Sequence, residues 1–340
     1  EAAKEYVYIA PVKSVEYGEK VLSLGREINN HSKDGIANLV IGAGYIFSGN
    51  FEKGKQFTDI GLKIATETKN VEEECTGLNS LAVYYMNTGN YKLAVELFQQ
   101  TLNKAIAANL PERVAMADFN LGAIYTSQGR LAEGLSSFLE SLKYFLGKGN
   151  NKFIARNLMN IAVNYHASAN LEKALDYYKS SCEYFEKLND QIGLATVLNN
   201  MGEVYKDKKN YPEAIKYYNQ SLAIAISLKS KLSEAVAYVG LAEVYMKLQD
   251  RRNAEDYARK SLEIFESIKM MEGISRSRWV LGEVEFLSGH YGKAMAYAGE
   301  SSTLAEKAGI PDIQVQVTLL CARILEKMGD YSRSNHFLQR

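Results

Sequence analysis

Apolar and polar positions along this chain follow the period of an amphipathic helix, and the whole pattern repeats every forty residues. One apolar face, at i, i+3, i+4 and i+7, is formed by Leu198, Met201, Gly202 and Tyr205. A second face follows in the same period and is formed by Ala214, Tyr217, Tyr218 and Leu222. Each period therefore predicts a pair of helices.

Positions forty residues apart hold the same kinds of side chain without an insertion. One set is always glycine or alanine: Gly42, Ala82, Gly122, Ala162, Gly202, Ala242, Gly282 and Ala322. Three residues later a tyrosine recurs, at Tyr45, Tyr85, Tyr125, Tyr165, Tyr205 and Tyr245. Two helices approach closely only where a side chain is small, so we interpret these residues as packing devices.

Turn residues mark the boundary between the two helices of a period. Glycine followed by a polar residue, typical of a left-handed helix end and a new N-cap, occurs at Gly49, Gly89, Gly129, Gly289 and Gly329. Lys209 and Gln249 replace this glycine, so those turns are either strained or closed in another way. All four prolines, Pro11, Pro111, Pro212 and Pro311, fall where a helix is predicted to start.

This pattern resembles the tetratricopeptide repeat (TPR), in a variety with forty residues instead of the commoner 34. The family's small residue, its aromatic residue and its second-helix alanine fall on Gly202, Tyr205 and Ala214. The resemblance implies an all-α fold, a right-handed superhelical solenoid of antiparallel helix pairs whose first helices line a concave wall.

We expect one TPR domain over residues 1–340, made of a partial repeat at 1–30 and eight repeats of forty residues, the last truncated. Ala2 matches the position of Gly42, and Arg340 falls partway along a second helix. Both ends cut a repeat, which favours a fragment of a longer chain.

The composition limits the classes of partner that this chain is expected to bind. Forty basic and forty acidic residues cancel, so no overall field attracts nucleic acid. Apolar runs are far shorter than the ~18 residues of a membrane span, which argues against direct membrane insertion. We expect a cytoplasmic protein, or an external one if the fragment precedes a membrane span. The oligomeric state is left open.

Candidate catalytic and metal-binding groups are not found in any known arrangement. The histidines, His31, His166, His290 and His336, lie at unrelated repeat positions. Cys75, Cys182 and Cys321 show no CxxC spacing and are expected to be small buried residues. The sequence therefore predicts no enzyme, no metal and no cofactor.

Variable residues along the predicted concave wall form the candidate binding site. The full set is Asn79, Phe119, Asn120, Met159, Asn160, Asn199, Asn200, Glu203, Lys206, Glu243, Arg276, Trp279 and Glu283. In peptide-binding members of the family, Asn at this wall grips the ligand backbone, and carboxamides can pair with both N–H and C=O groups. The alternative is that Asn is simply common there in the forty-residue variety.

Two further features of this wall have alternative interpretations. A large apolar set, Leu39, Phe119, Met159, Val239, Trp279 and Leu319, either forms an anchor pocket or packs as ordinary core. Glu203, Glu243 and Glu283 recur at one repeat position and suggest an exposed acidic sector for basic side chains of a partner. The alternative is local pairing of Glu203 with Lys206 and of Glu243 with Lys247, which leaves Glu283 without a local partner.

The sequence thus favours a non-enzymatic scaffold that binds a protein or peptide in the concave groove, and the glutamates suit a partner with basic residues. The alternative is a regulatory or sensory segment of a bacterial signalling protein, such as a sensor kinase, nucleotide cyclase or transcription regulator. The residues after Ala305 resemble the last repeats of such proteins, whose effector domain would lie outside this segment.

Overall fold

The computed structural model describes residues 10–338, and side chains within this range except those of His336 and Leu338. This part of the chain contains 17 α-helices and no strand, and the helical content is 85%. The predicted all-α repeat fold is therefore confirmed. Ala2 and Arg340, used above to place the ends of the repeats, lie outside the described residues.

The chain divides into two compact units between Ser168 and Ala169. Unit 1 contains α1 (Pro11–Glu27), α2 (Asp34–Phe47), α3 (Phe51–Glu67), α4 (Val71–Asn87), α5 (Tyr91–Ala107), α6 (Pro111–Ser127), α7 (Leu131–Lys148) and α8 (Asn151–Ala167). Unit 2 contains α9 (Leu171–Lys187), α10 (Gln191–Asp207), α11 (Tyr211–Ser227), α12 (Lys231–Lys247), α13 (Arg251–Ser267), α14 (Met271–Leu287), α15 (Tyr291–Ala308), α16 (Pro311–Lys327) and α17 (Tyr331–Leu338). One continuous domain stays a prediction.

Every link between the helices from α1 to α17 is closed by a residue in the left-handed conformation, and these residues are twenty positions apart. They are Asn29, Gly49, Lys69, Gly89, Asn109, Gly129, Gly149, Ala169, Asn189, Lys209, Lys229, Gln249, Lys269, Gly289, Gly309 and Gly329. Lys209 and Gln249, with φ of 57° and 60°, use the same closure as the glycines. An Asn or Asp then caps many of the following helices, as Asn210 does by accepting a hydrogen bond from the Glu213 N–H.

The small residues at forty-residue spacing lie where helices cross, as expected. A Cβ atom added at Gly122 would lie 2.7 Å from the ring of Phe138, and one at Gly202 would lie 2.8 Å from the ring of Tyr218. Ala82, Ala162 and the other alanines of this set are buried. Within each unit, the core lies between the first helix of a repeat and the second helices on either side of it in sequence.

Across residues 10–338, no helix combines the length and the apolar character that a membrane crossing requires.

Candidate functional site

The first helices of successive repeats contact one another within each unit and present a row of side chains, which we call the first-helix face. In unit 1 this face belongs to α2, α4, α6 and α8, and in unit 2 to α10, α12, α14 and α16. Ten of the predicted site residues on these helices are partly buried: Asn79, Phe119, Asn120, Met159, Asn160, Asn199, Asn200, Glu203, Lys206 and Arg276. The other three, Glu243, Trp279 and Glu283, are buried. Whether any of them binds a partner stays a prediction.

The first-helix face of unit 1 contains a pocket of about 130 Å³, which we call the Leu39 pocket. Its apolar walls come mainly from α2 and α6, and its polar groups from α4, α5 and α6. It is lined by Ile36, Leu39, Val40, Ala43, Cys75, Thr76, Asn79, Ser80, Thr101, Arg113 and Met116. An open cleft of about 490 Å³ adjoins it and shares Ile36, Val40, Thr76 and Arg113.

Two carboxamides from neighbouring repeats meet beside this pocket. The Asn120 Nδ2 atom donates a hydrogen bond of 2.7 Å to Asn79 Oδ1. Each carboxamide has two donor hydrogens and an acceptor oxygen, so this bond leaves a donor and an acceptor capacity on both side chains. At the pocket edge the Arg113 guanidinium lies 2.8 Å from a Glu72 carboxylate oxygen.

The aromatic residue of the predicted set in unit 1 has neighbours of its own kind. The ring of Phe119 packs edge-on against those of Phe138 and Phe153, with centroids 5.9 and 6.1 Å apart. These contacts support the core interpretation for much of the Phe119 side chain. The same interpretation holds for Leu39, Val239 and Trp279, which are buried, whereas Leu319 is exposed. Of the two interpretations of this set, ordinary core therefore holds for Leu39, Val239 and Trp279 and does not hold for Leu319.

The first-helix face of unit 2 has a different chemistry: five polar side chains form a connected group that we call the Glu243 cluster. Lys206 Nζ lies 2.6 Å from Glu203 Oε2 and 2.5 Å from Glu243 Oε2. Arg276 Nε donates to Glu243 Oε1 at 2.6 Å, and the Tyr218 hydroxyl donates to Glu203 Oε1 at 2.7 Å. Two carboxylates and two cations from α10, α12 and α14 thus neutralise one another.

The pKa values in the cluster follow from this arrangement. Burial alone would raise the pKa of Glu203, but the Lys206 ammonium and the Arg276 guanidinium lower it to about 2. Burial would lower the pKa of Lys206, and the carboxylates of Glu203 and Glu243 raise it instead. Burial raises the pKa of Tyr218 well above its usual value, and Glu203 adds to this shift. Glu203 and Lys206 therefore stay ionised at neutral pH.

The third glutamate of the predicted ladder also has a cation within the chain. The Arg323 guanidinium, forty residues downstream on α16, contacts both Glu283 carboxylate oxygens at 2.9 and 3.1 Å. Burial raises the pKa of Glu283, and Arg323 opposes that shift. The expectation of an exposed acidic ladder is wrong because Glu243 and Glu283 are buried and paired. The expected pairing of Glu203 with Lys206 is confirmed, whereas Glu243 pairs with Lys206 and Arg276 instead of Lys247.

Two buried polar atoms on the unit 2 face have no hydrogen-bond partner among the described residues, Asn199 Oδ1 and Trp279 Nε1. Asn199 lies one turn before Glu203, and Trp279 one turn before Glu283. Asn200, in contrast, hydrogen-bonds the buried Tyr178 hydroxyl. The structure therefore separates the predicted asparagines into one with a structural bond and one with an open acceptor.

The sequence interpretation missed several of these contacts. The role of Tyr218 could have been found because it lies on the predicted apolar face of the second helix and faces Gly202, whose missing side chain makes room for its ring. Arg323 stands at the same repeat position as Glu283, so the forty-residue period itself carried that signal. Arg113 and Met116 of the Leu39 pocket had no such signal. Among residues 10–338, no three His, Cys, Asp or Glu side chains are placed to hold a metal ion.

A tetratricopeptide repeat family model matches residues 113–187, 193–267 and 233–307, which together make up more than half of the chain. A second tetratricopeptide repeat model matches residues 76–109. The chain belongs to the tetratricopeptide repeat family. A search of curated protein sequences finds no significant match.

Solved structures with the same fold extend over the whole chain. The Rap protein complexed with Competence and Sporulation Factor has a TM-score of 0.75 and 15% identity, covering 100% of this chain and 94% of that one. The apo quorum sensor NprR from B. thuringiensis has a TM-score of 0.76 and 18% identity, covering 99% and 95%. NprR with its cognate peptide NprX gives 0.66 and 17%, covering 99% and 94%. Aspartyl phosphate phosphatase F from Bacillus subtilis gives 0.70 and 14%, covering 99% and 90%. At these identities the likeness shows a shared fold.

Proposed function

We propose that this chain is a non-enzymatic scaffold that binds a peptide, or an extended segment of another protein, on its first-helix face. The observation that carries the proposal is the Leu39 pocket with the carboxamides of Asn79 and Asn120 beside it. Such a site combines a cavity for one apolar side chain with polar groups for the backbone on either side of it.

The size of the pocket fits this role. A dry protein cavity of roughly 150 Å³ with Leu, Ile and Phe walls takes up benzene, so the Leu39 pocket, of about 130 Å³, holds one branched apolar side chain. Ile36, Leu39 and Met116 supply apolar contact, and the Asn79 carboxamide reaches the same pocket. Rigid stacked helices keep these groups in place, which limits the ordering cost of binding to the ligand itself.

On the unit 2 face we keep the proposal of contact with basic side chains of a partner, now centred on Glu203. Its side chain is 24% exposed, whereas that of Glu243 is only 6% exposed. A partner cation reaches Glu243 only by displacing Lys206 or Arg276.

The similar structures support a peptide ligand. One is a Rap protein solved with Competence and Sporulation Factor, and another is NprR solved with its cognate peptide NprX. A third similar structure is named a phosphatase, so the shared fold does not decide between an enzyme and a scaffold. The absence of activity is thus part of the proposal and depends on the scattered histidines and cysteines of the sequence.

The test is selection from a displayed library of short linear peptides against the whole chain. We expect the selected peptides to share one large apolar side chain, and Met116→Trp, which fills the Leu39 pocket, to weaken them at least about tenfold. Asn79→Ala should weaken them less. Asn87→Ala, an exposed carboxamide at the end of α4, is the matched control and should bind as wild type does.

The melting temperature of each variant checks that it is folded. Equal affinity of Met116→Trp and the Asn87→Ala control would place the ligand elsewhere. A selection that returns no peptide above background would overturn peptide binding by this chain.

A second candidate function is the sensory segment of a signalling protein. The similarity to the quorum sensor NprR favours it. The coding sequence on either side of these residues tests it: a kinase, cyclase or helix-turn-helix pattern supports a sensory segment, and a chain without one supports a separate scaffold.

A further inference from the structure

The cleft beside the Leu39 pocket extends the proposed peptide site, and we call it the Lys33 cleft. Its volume is about 490 Å³, and residues of α1, α2, α4 and α6 line it together with Lys33. Arg113 of α6 lines both the Leu39 pocket and the Lys33 cleft. A peptide whose apolar side chain fills the pocket therefore places its neighbouring residues beside the Arg113 guanidinium.

The Arg113 guanidinium has donors left for a ligand. Its Nη2 atom donates to one Glu72 carboxylate oxygen at 2.8 Å, and its Nη1 atom lies 3.8 Å from the Met116 sulfur, which is a weak acceptor. A guanidinium has five N–H donors in a planar fork, and this fork fits a carboxylate through two parallel bonds. The contacts of Arg113 within the described residues therefore leave room for a second carboxylate.

The Glu72 side chain can give up its place beside Arg113. Glu72 is 56% exposed, whereas Arg113 is 21% exposed. An ion pair with an exposed partner contributes little to stability, because water competes for the charge. Glu72 lines the Lys33 cleft but not the Leu39 pocket. A carboxylate that approaches from the pocket side can therefore take the guanidinium while Glu72 turns toward solvent.

The other charges of the Lys33 cleft favour an acidic ligand over a basic one. A Cβ atom added at Gly35 would lie 2.5 Å from Glu73 Oε2, so this carboxylate lies against the first turn of α2. Amide groups at a helix N-terminus carry a partial positive charge, which offsets the charge of Glu73. Lys33 is exposed, and its ammonium has no hydrogen bond or ion pair with any residue that the structure describes. The charge that lacks a partner in the cleft is thus positive.

We propose that the peptide bound in the Leu39 pocket carries an Asp or Glu side chain next to its apolar side chain, and that Arg113 and Lys33 bind this carboxylate. The inference rests on the proposed function, because it adds a second group to the same ligand. Arg113 forms the bidentate pair, and Lys33, a compact charge on a flexible stem, approaches from the start of α2. Because the cleft is open, the peptide chain can continue past Arg113, which favours a side chain over a C-terminal carboxylate.

The first test uses the whole chain and a displayed library of short peptides, with leucine fixed at the centre and random residues on either side. We expect Asp and Glu to be enriched over Asn and Gln beside the leucine, and Lys and Arg to be depleted. Binders with no acidic preference, or with a basic one, would overturn the inference and leave the proposed function intact. A library that yields no binder would overturn both.

Synthetic forms of the selected peptides, with both ends blocked, assign the acidic preference to Arg113. In calorimetry at low salt, the Asp form should bind at least about tenfold more tightly than the Asn form. The difference should shrink as the salt concentration rises. Arg113→Gln should remove it, and Arg113→Lys, which keeps the charge but not the fork, should retain part of it. Equal binding of the two forms to the wild type, or the full difference in Arg113→Gln, would contradict the assignment.

Glu72→Gln should act in the opposite direction, which a purely structural role of the ion pair would not produce. Without the competing carboxylate, the Asp form should bind about threefold more tightly, and the Asn form should bind as before. Glu52→Gln, an exposed glutamate at the same place in the first turn of α3, is the matched control and should leave both affinities unchanged. The melting temperature of each variant checks that it is folded.

Two further outcomes would count against the proposal. Weaker binding of the Asp form to Glu72→Gln would mean that Glu72 positions Arg113 instead of competing for it. A peptide that ends at the leucine, if it binds more tightly as the free acid than the blocked Asp form does, would assign the carboxylate to the C-terminus instead of a side chain.

Discussion

The two first-helix faces carry different chemistry on the same sequence of helices. In unit 1 the face carries the Leu39 pocket, with the hydrogen bond between Asn79 and Asn120 beside it and the ion pair of Arg113 and Glu72 at its edge. In unit 2 the equivalent positions hold the Glu243 cluster, in which each charge already has an opposite charge at 2.5 to 2.6 Å. One face thus leaves polar groups for a ligand, whereas the other uses most of its polar groups internally.

This difference teaches that recurrence at one repeat position does not mean exposure. The glutamates at 203, 243 and 283 and the asparagines at 79 and 120 come from the same stripe of the first helices. Burial of charged groups costs desolvation free energy, and their mutual attraction offsets this cost only when the geometry is good. A buried ion cluster is therefore weak evidence for added stability. The unit 2 cluster joins three consecutive first helices, α10, α12 and α14.

Reversal of one charge in the Glu243 cluster should have the largest effect on stability. Glu243→Lys leaves Lys206 and Arg276 beside a third buried cation, and we expect a loss of about 3 to 5 kcal/mol in the free energy of unfolding. Chemical denaturation followed by circular dichroism measures it. Glu263→Lys, an exposed glutamate on α13, is the matched control and should change stability by less than about 0.5 kcal/mol. A loss for Glu243→Lys no larger than for the control would mean that the cluster is solvated.

Replacement of the entire cluster should have a smaller effect than removal of one member. The residues at equivalent positions in unit 1 give the variant Glu203→Ala, Lys206→Thr, Tyr218→Phe, Glu243→Val and Arg276→Met. Because no charge is left unpaired, we expect it to lie within about 2 kcal/mol of wild type, in either direction. The same denaturation experiment tests this. A loss as large as that of Glu243→Lys would show that the cluster itself supplies net stability.

The stability of the two units should change with pH in opposite directions, and these changes are the smallest of the effects predicted here. Because the pKa of Glu203 is lower in the native state than its ordinary value of 4.5, Glu203 stabilises the native state at pH values above 4.5. This contribution is lost as the pH falls from about 4.5 to about 2. Burial, together with the negative charge of Glu140, raises the pKa of Asp118 on α6 to about 6. The native state therefore binds more protons than the unfolded state between about pH 4 and 6, and unit 1 loses stability as the pH rises through that window.

Hydrogen exchange of peptides from α6 and α10, corrected for intrinsic rates, measures both trends. Because Asp118 is only partly buried, we expect a change of about 1 kcal/mol at most. Asp118→Asn should abolish the trend in α6 and leave α10 unchanged, and Glu203→Gln should do the reverse. Parallel pH profiles in both units would contradict the assignment of these two groups.

Much of the fold could be predicted from periodicity, because the packing demands recur with each repeat. Gly202 and Tyr205 predicted the helix crossing, and the prolines and glycines predicted the helix ends to within a residue or two. The Leu39 pocket could not be predicted, since Ile36 and Met116 are ordinary apolar residues whose separation depends on how α2 and α6 pack against α4. Asp118 was missed because its repeat position varies, with Asn38, Leu78 and Tyr238 among its equivalents, and only the structure shows that Asp118 is partly buried.

The uniform links between the helices have an evolutionary consequence. Since every link closes with the same left-handed backbone at a spacing of twenty residues, unequal crossing-over between repeats rejoins the chain with this closure at the same place in each repeat. Such an array can lengthen or shorten by whole periods without a frameshift in its packing. Features that occur at one place in the chain, such as the Glu243 cluster and the Leu39 pocket, are then the parts that limit which repeats can be exchanged.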